Sequence, residues 1–285
     1  MIQVQNLRQI KVRIKSIENT RKITRAMEMV SASKLSKIKA SFYSIRPYLG
    51  ALETMIYDLV SDSAGLKNAL LERRSRIKNS VLCVITSDTG LCGAYNNNIL
   101  KYAEKFLKEL RGEVSIIAVG KEAYSFFQKK GFKIRNSYLG LYGRYSSKVS
   151  DAIAKDLVDL FTSRKADEVY VIHSHFSPSL RHVPTADKLL NIEPSKQSRN
   201  YYTFERSAQA ILDSLLPKYI TYKIRAIITE AFTSEHSARM LAMKTATDNA
   251  RDLIEQLTLA RNKARQFAIT KEVLEIAASA EALKG

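Results

Sequence analysis

The four histidines of this chain are His173, His175, His182 and His236, and three of them fall within ten residues. His173 and His175 alternate along a strand-like run, so they share a face and could offer imidazole nitrogens to a metal ion. No Cys or carboxylate completes that set at a convincing spacing, so structural roles are expected for all three. His236, within Ser234-Glu-His-Ser-Ala-Arg-Met240, is expected to be a packed or surface histidine. Cys83 lies in an apolar run and reads as core, whereas Cys92 lies in a glycine-containing loop where it could be exposed. The segment Thr86-Ser-Asp-Thr-Gly-Leu-Cys-Gly-Ala-Tyr-Asn96 follows a strand and precedes a helix, where a mononucleotide-binding turn would sit. It has neither G-K-[ST] nor G-x-G-x-x-G, so a tight turn carrying contact residues is the expected role. No nucleophile–base arrangement and no pair of carboxylates has a catalytic look.

These residues need a scaffold, and the middle of the chain supplies one. Val81–Thr86 and Val114–Val119 are short apolar runs bounded by turn residues, as strands buried on both faces should be, and Val169–Ile172 is a third. Ile99, Ala103, Phe106 and Leu110 mark one intervening helix face, and Ile153, Leu157 and Leu160 another. Strand–helix alternation predicts a Rossmann-like, α/β parallel-sheet domain with helices on both faces. Residues 61–78 read as a connector. Residues 178–205, with Pro178, Pro184 and Pro194, read as loops plus one weak strand near Leu189.

The flanks are different. Residues 1–46 and 218–284 contain no Gly and no Pro. At about 1.5 Å per helical residue, such arms could reach roughly 70 Å and 100 Å. Leu7, Ile10, Ile14 and Ile17 keep a 3-4-3 seam, continued loosely by Met27, Val30 and Ile38. Ala250, Leu253, Leu257, Ala260, Ala264, Phe267, Lys271, Leu274 and Ala278 keep a 3-4 spacing in which small residues allow close helix approach. Lys271 breaks that seam, so the helix is expected to leave its partner there. Pro47 with Gly50, and Pro217, are expected to interrupt or kink their helices. The simplest pairing is antiparallel, arm against arm, with dimerisation between chains as the alternative. The division is then 1–60 N-terminal coiled-coil helix, 61–205 α/β domain with connectors, and 206–285 C-terminal coiled-coil helix.

The formal charge is +18, and residues 1–46 hold eleven Lys/Arg against Glu18 and Glu28, half of that total. An acidic protein surface or a polyanion is the implied counterpart. Two cysteines give no disulfide framework, no apolar run is long enough to span a bilayer, and the basic N-terminus runs directly into patterned helix. A soluble or peripheral intracellular protein is expected.

Three groups of residues carry a resemblance. Asn19-Thr-Arg-Lys-Ile-Thr-Arg-Ala-Met-Glu-Met-Val30 with Ser31-Ala-Ser-Lys34, then Ser87-Asp-Thr-Gly-Leu-Cys-Gly93, then Ser237-Ala-Arg-Met-Leu-Ala-Met243 with Ala246-Thr-Asp-Asn249, Asn262-Lys-Ala-Arg-Gln266 and Ile269-Thr-Lys-Glu272 closely resemble, in order, the signatures of the F-type ATP synthase gamma chain. The resemblance implies a long antiparallel coiled coil of the N- and C-terminal helices with an inserted Rossmann-like domain. It implies a central rotor shaft of a bacterial-type enzyme, without cofactor or catalysis of its own, inside a ring of alpha and beta chains. Further partners would be the epsilon and delta chains and the c-ring, with peripheral attachment at the cytoplasmic face of the bacterial inner membrane. Met27 and Cys92 match positions near the acidic lever of the beta chain, and Arg239, Arg265, Gln266, Thr270 and Glu272 match positions associated with coupling. Arg21, Lys22 and Arg25 carry the charge sign expected opposite such a lever. Thr89 stands where the family motif usually has a basic residue. The leading reading has no nucleic-acid partner; a basic coiled-coil nucleic-acid-binding protein is the alternative.

Overall fold

The computed structural model describes residues 7–62, 66–176, 182–192 and 207–282, so Pro178 and Pro194 lie outside the described residues. In chain order the elements are α1 (Leu7–Asp62), β1 (Asn79–Ile85), α2 (Tyr95–Leu107), β2 (Glu113–Val119), α3 (Lys121–Lys129), β3 (Ile134–Tyr138), α4 (Ser147–Thr162), β4 (Glu168–Phe176), β5 (His182–Leu190) and α5 (Ala208–Ala282). They divide into two compact units, Ser31–Arg239 and Met1–Val30 with Met240–Gly285. Both division points fall inside the long helices, so the stretches of α1 and α5 nearest the middle of the chain belong with the sheet.

In the larger unit the strand order is β3-β2-β1-β4-β5. β1 pairs parallel with β2 and β4, and β2 with β3. Alternate residues of β1 enter opposite layers, as a pleated strand requires. Val81, Cys83 and Ile85 pack with α4 and α5 through Ile153, Leu157, Leu216 and Ile224, while Leu82 and Val84 pack with α2 and α3 through Ile99, Ala103 and Phe127. Burial on both faces is why these strands read as unbroken apolar runs.

Three expectations need correction. The sheet is not wholly parallel, because β5 runs antiparallel to β4. Only residues 177–181 separate the two strands, and a parallel crossover needs a dozen or more. β3, Ile-Arg-Asn-Ser-Tyr, escaped the sequence reading because an exposed edge strand carries no apolar run. The helices also run through Pro47 and Pro217 without ending. An interior proline costs about 3 kcal/mol. Leu52, Ile56 and Leu59 after Pro47, and Leu212, Leu216, Ile220 and Ile224 around Pro217, are all buried, at about 1.5–3 kcal/mol each, which outweighs the break.

In the smaller unit α1 and α5 lie against each other. Ile10, Ile14, Thr24, Met243, Thr247 and Ala250 are buried, and the hydroxyls of Thr24 and Thr247 are 2.8 Å apart. The inward stripe on α5 is Met243, Thr247, Ala250, Ile254, Leu257, Arg261 and Ala264. It shares Ala250, Leu257 and Ala264 with the expected seam, but Ile254 and Arg261 replace Leu253 and Ala260, which are exposed. The two series have the same heptad period and differ in their intermediate position, a choice that spacing alone does not make. Counting seventeen residues outward from the threonine pair along each antiparallel helix brings Leu7 opposite Ala264. Beyond Ala264 every described side chain of α5 is exposed.

Candidate functional site

Three places gather the residues singled out above. The first surrounds the threonine pair. Arg21, Lys22, Arg25, Thr247, Asp248 and Arg251 line a cleft of about 420 Å³. Four cations face one carboxylate there, and Asp248 Oδ1 is already 3.5 Å from Arg251. Such a cleft accepts carboxylates, and its three guanidinium groups can do so bidentately. Arg251 completes the cluster and was missed in the sequence, because only the helix register reveals that it joins Arg21 and Arg25. Met27, one turn on, is half-buried.

The second place is the exposed end of α5. Arg265, Gln266, Thr270 and Glu272 are all exposed on it. So are Phe267 at 68%, Leu274 at 64% and Ile276 at 70%, large apolar groups on more than one side of one helix. Lys271 and Glu275 pair at 3.6 Å along its surface, which contributes only about 0.3–0.5 kcal/mol. A single helix that exposes apolar residues around its girth is a surface built to be covered.

The third place is the turn after β1. It is a closed hydrogen-bond knot. Ser87 N donates to Asn96 Oδ1 at 3.1 Å, and Asn96 Nδ2 donates to Cys92 Sγ at 3.3 Å and Ser87 Oγ at 2.7 Å. Cys92 is therefore buried, at 3% exposure, and not the exposed loop thiol the sequence left open; burial pushes its pKa up. Arg239 closes the knot from α5. Its Nη2 donates to Thr89 O at 2.8 Å, its Nε to Gly90 O at 3.2 Å and its Nη1 to Glu235 Oε1 at 2.7 Å. A phosphate cradle presents backbone N–H groups. This turn instead presents carbonyl oxygens, and an arginine already occupies them. Both Arg239 and Cys92 are buried within this unit. What they do here is fix the shape of the turn, and Thr89 takes part through its carbonyl rather than through a charge.

His236 belongs to the same network. Its Nε2 donates to Gly143 O at 3.0 Å, which leaves Nδ1 to accept from Arg239 Nη1 at 3.3 Å and so defines the neutral tautomer. Gly143 has φ +62°, and a Cβ there would lie 2.4 Å from His236 Nε2, so no other residue fits. Burial, helped by the charge of Arg239 and opposed by the hydrogen bond to Gly143, presses the His236 pKa down from 6.5 to about 4. The unfolded chain therefore binds a proton between pH 6.5 and 4 that the folded chain refuses, and stability falls as pH falls through that window. At 1.36 kcal/mol per unit the loss is about 2–3 kcal/mol by pH 4.5. Denaturant unfolding at pH 7 and pH 4.5 should show this loss in the natural chain and a clearly smaller one in His236→Gln, after allowance for the common acid effect of the carboxylates. Equal losses would remove His236 as the titrating group.

Of the remaining histidines, His182 lies edge-on to Tyr95 with ring centroids 6.5 Å apart, and the other two pair with carboxylates in the same unit. His173 Nε2 lies 3.1 Å from Asp187 Oδ2, and His175 Nδ1 lies 2.7 Å from Glu230 Oε1. The hydrogen bond from His173 holds Asp187 below its usual pKa. Among the described residues no group of His, Cys, Asp and Glu could hold a metal ion, and none of their helices is long and apolar enough to cross a membrane.

A family model described as ATP synthase matches residues 6–283. The ATP synthase gamma chain of Pelotomaculum thermopropionicum is 39% identical across 98% of this chain and 99% of its own length. That of Alkaliphilus metalliredigens is 38% identical over the same shares. The chain belongs to the ATP synthase gamma-chain family. Its fold is shared by a chain in the Euglena gracilis mitochondrial ATP synthase OSCP/F1/c-ring structure, at a TM-score of 0.68, 17% identity and coverage of 97% of this chain and 94% of that one.

Proposed function

We propose that this chain is the central rotor shaft of a bacterial F-type ATP synthase, coupling ion flow across the membrane to ATP synthesis or hydrolysis in a surrounding ring of alpha and beta chains. The observation that carries the reading is the end of α5, which exposes Phe267, Ile269, Val273, Leu274 and Ile276. An isolated helix of that length is marginal in water, and a sleeve formed by other chains would both cover and hold it. Arg265, Gln266, Thr270 and Glu272 are then placed for contact with the sleeve. The basic cleft of Arg21, Lys22, Arg25 and Arg251, with Met27 beside it, is placed for an acidic lever of the beta chain. Cys92 and Arg239 support that contact indirectly, by shaping the turn at 87–93.

The chain itself acts without catalysis. Its one nucleotide-like turn is filled by its own arginine, and an asymmetric rod biases equal sites through differential contacts alone. Residues 1–60 and 206–285 serve as the shaft helices and 61–205 as the foot, which would meet the epsilon chain and the c-ring, with the delta chain elsewhere in the complex. Attachment to the cytoplasmic face of the inner membrane is through those partners.

Reconstitution tests this. The chain mixed with matched alpha and beta chains is expected to co-elute with an ATP-hydrolysing ring at near one copy per ring. Removal of residues 265–285 should weaken that co-elution at least tenfold, since the large apolar side chains that the ring would cover are gone. A chain that neither joins the ring nor alters its turnover would contradict the reading.

A further inference from the structure

The far part of α5 carries a second seam, distinct from the stripe that packs on α1. Leu259, Asn262, Gln266, Ile269, Val273 and Ile276 keep an unbroken 3-4 spacing, which continues to Ala280. Gln266 lies nine residues after Leu257, about two and a half turns, so this seam runs on the side of the helix turned away from α1. All of its side chains are exposed, and Leu259, Ile269, Val273 and Ile276 are each more than half exposed. An apolar row with a coiled-coil period on a free helix face is a site for another helix.

The charges around the seam say which helix. Residues 259–271 hold Arg261, Lys263, Arg265 and Lys271 and no acid, whereas residues 272–281 hold Glu272, Glu275 and Glu281 and no Lys or Arg. A stretch that is basic in its first half and acidic in its second is complementary to itself when reversed. Arg265 and Glu272 stand one heptad apart, each just before a seam position, so they flank the row on the same side. Both are exposed, and among the described residues neither has an ion-pair partner. Two copies laid antiparallel about a two-fold axis near Ile269 bring Arg265 of each beside Glu272 of the other. A parallel pair would instead set basic half against basic half and acidic against acidic, which is repulsive.

We propose that the chain, before it joins any larger assembly, pairs with a second copy of itself through residues 259–280 as an antiparallel two-helix coiled coil. Ile269 and Val273 form its centre, with Leu259 and Ile276 toward the ends. Asn262 and Gln266 place polar groups in the seam, which fixes the register and weakens the pair. A reversible pair suits a surface with a later use. In the ring the same side chains would lie against the sleeve, so pairing and ring entry exclude each other. That exclusivity rests on the shaft reading; the pairing itself does not.

Sedimentation velocity of the full chain over a range of concentrations tests this. A monomer–dimer equilibrium is expected, and Ile269→Asp with Val273→Asp should weaken it at least tenfold. Arg265→Glu alone and Glu272→Arg alone should each weaken it about tenfold, because each turns two attractions into two repulsions. An equal mixture of those two single variants should regain pairing to within about threefold of the natural chain, since each again meets the opposite charge. That recovery also shows that both variants are folded. The proposal fails if the chain is monomeric at every concentration or forms aggregates of no fixed size. It fails equally if the mixed variants do not regain pairing, or if the dimer persists in a chain lacking residues 265–285. A pair that survives an excess of matched alpha and beta chains would overturn the exclusivity.

Discussion

Arg239→Met is expected to lower the stability of the sheet-containing unit by about 3–5 kcal/mol, the usual cost of stripping one partner from a buried ion pair. Glu235 and Arg239 are 1% and 4% exposed and bond at 2.7 Å. Without the guanidinium, the Glu235 carboxylate is left enclosed, and the carbonyls of Thr89 and Gly90 lose their donor. For a unit of this size the change corresponds to a fall in melting temperature of about 10 °C. The pH dependence gives a second readout. Burial already raises the Glu235 pKa above 4.5, against the pull of Arg239. Removal of that pull raises it further, so the folded variant holds a proton the unfolded chain has released, and its stability declines as pH rises from 4.5. Glu235→Gln in the same background should restore part of the loss, giving a coupling energy of 1 kcal/mol or more in a double-mutant cycle. A single variant within 0.5 kcal/mol of the natural chain would show that the turn does not need its pin.

The second large effect concerns the basic cleft. With Arg21, Lys22 and Arg25 all changed to Glu, coupled ATP synthesis by the reconstituted complex is expected to fall about tenfold, while recovery of assembled complex falls less than twofold. Exposed ion pairs contribute about 0.5 kcal/mol each. Turning three attractions into repulsions therefore exceeds the 1.4 kcal/mol that corresponds to a factor of ten. On the proposed reading, assembly rests chiefly on the apolar end of α5, which these substitutions leave alone. The defect should shrink as salt rises, because the cleft is open to solvent. Synthesis unchanged at low salt would remove the electrostatic part of the account.

Much of this molecule is legible in its sequence, for identifiable reasons. The three central strands are buried on both faces and so appear as apolar runs, and the long helices appear through the absence of Gly and Pro. The edge strands β3 and β5 are half-exposed, carry Arg135, Asn136, Thr185 and Lys188, and leave little pattern to read. Pro47 and Pro217 do not end their helices because a local rule is overridden by tertiary burial, which no local window contains. The coiled-coil seam was half legible: its seven-residue period is in the sequence, while the choice of Ile254 over Leu253 belongs to the geometry of the partner helix. The basic cleft shows the same division. Arg21, Lys22 and Arg25 are neighbours in sequence, whereas Arg251 reaches them only through the register fixed at Thr24 and Thr247. Arg239 and Cys92 stand out as motif residues, but only coordinates reveal that both face inward.

The most direct test of the shaft reading is to watch the chain turn. Cys83 and Cys92 are both buried, so Lys129→Cys on the exposed end of α3 offers a single reactive thiol for a gold bead, with the alpha–beta ring fixed to glass. On addition of Mg-ATP the bead is predicted to rotate in one direction, pausing at positions that match the threefold symmetry of the ring. A bead that stays still, or only fluctuates about one angle, while the same rings hydrolyse ATP would contradict the central claim.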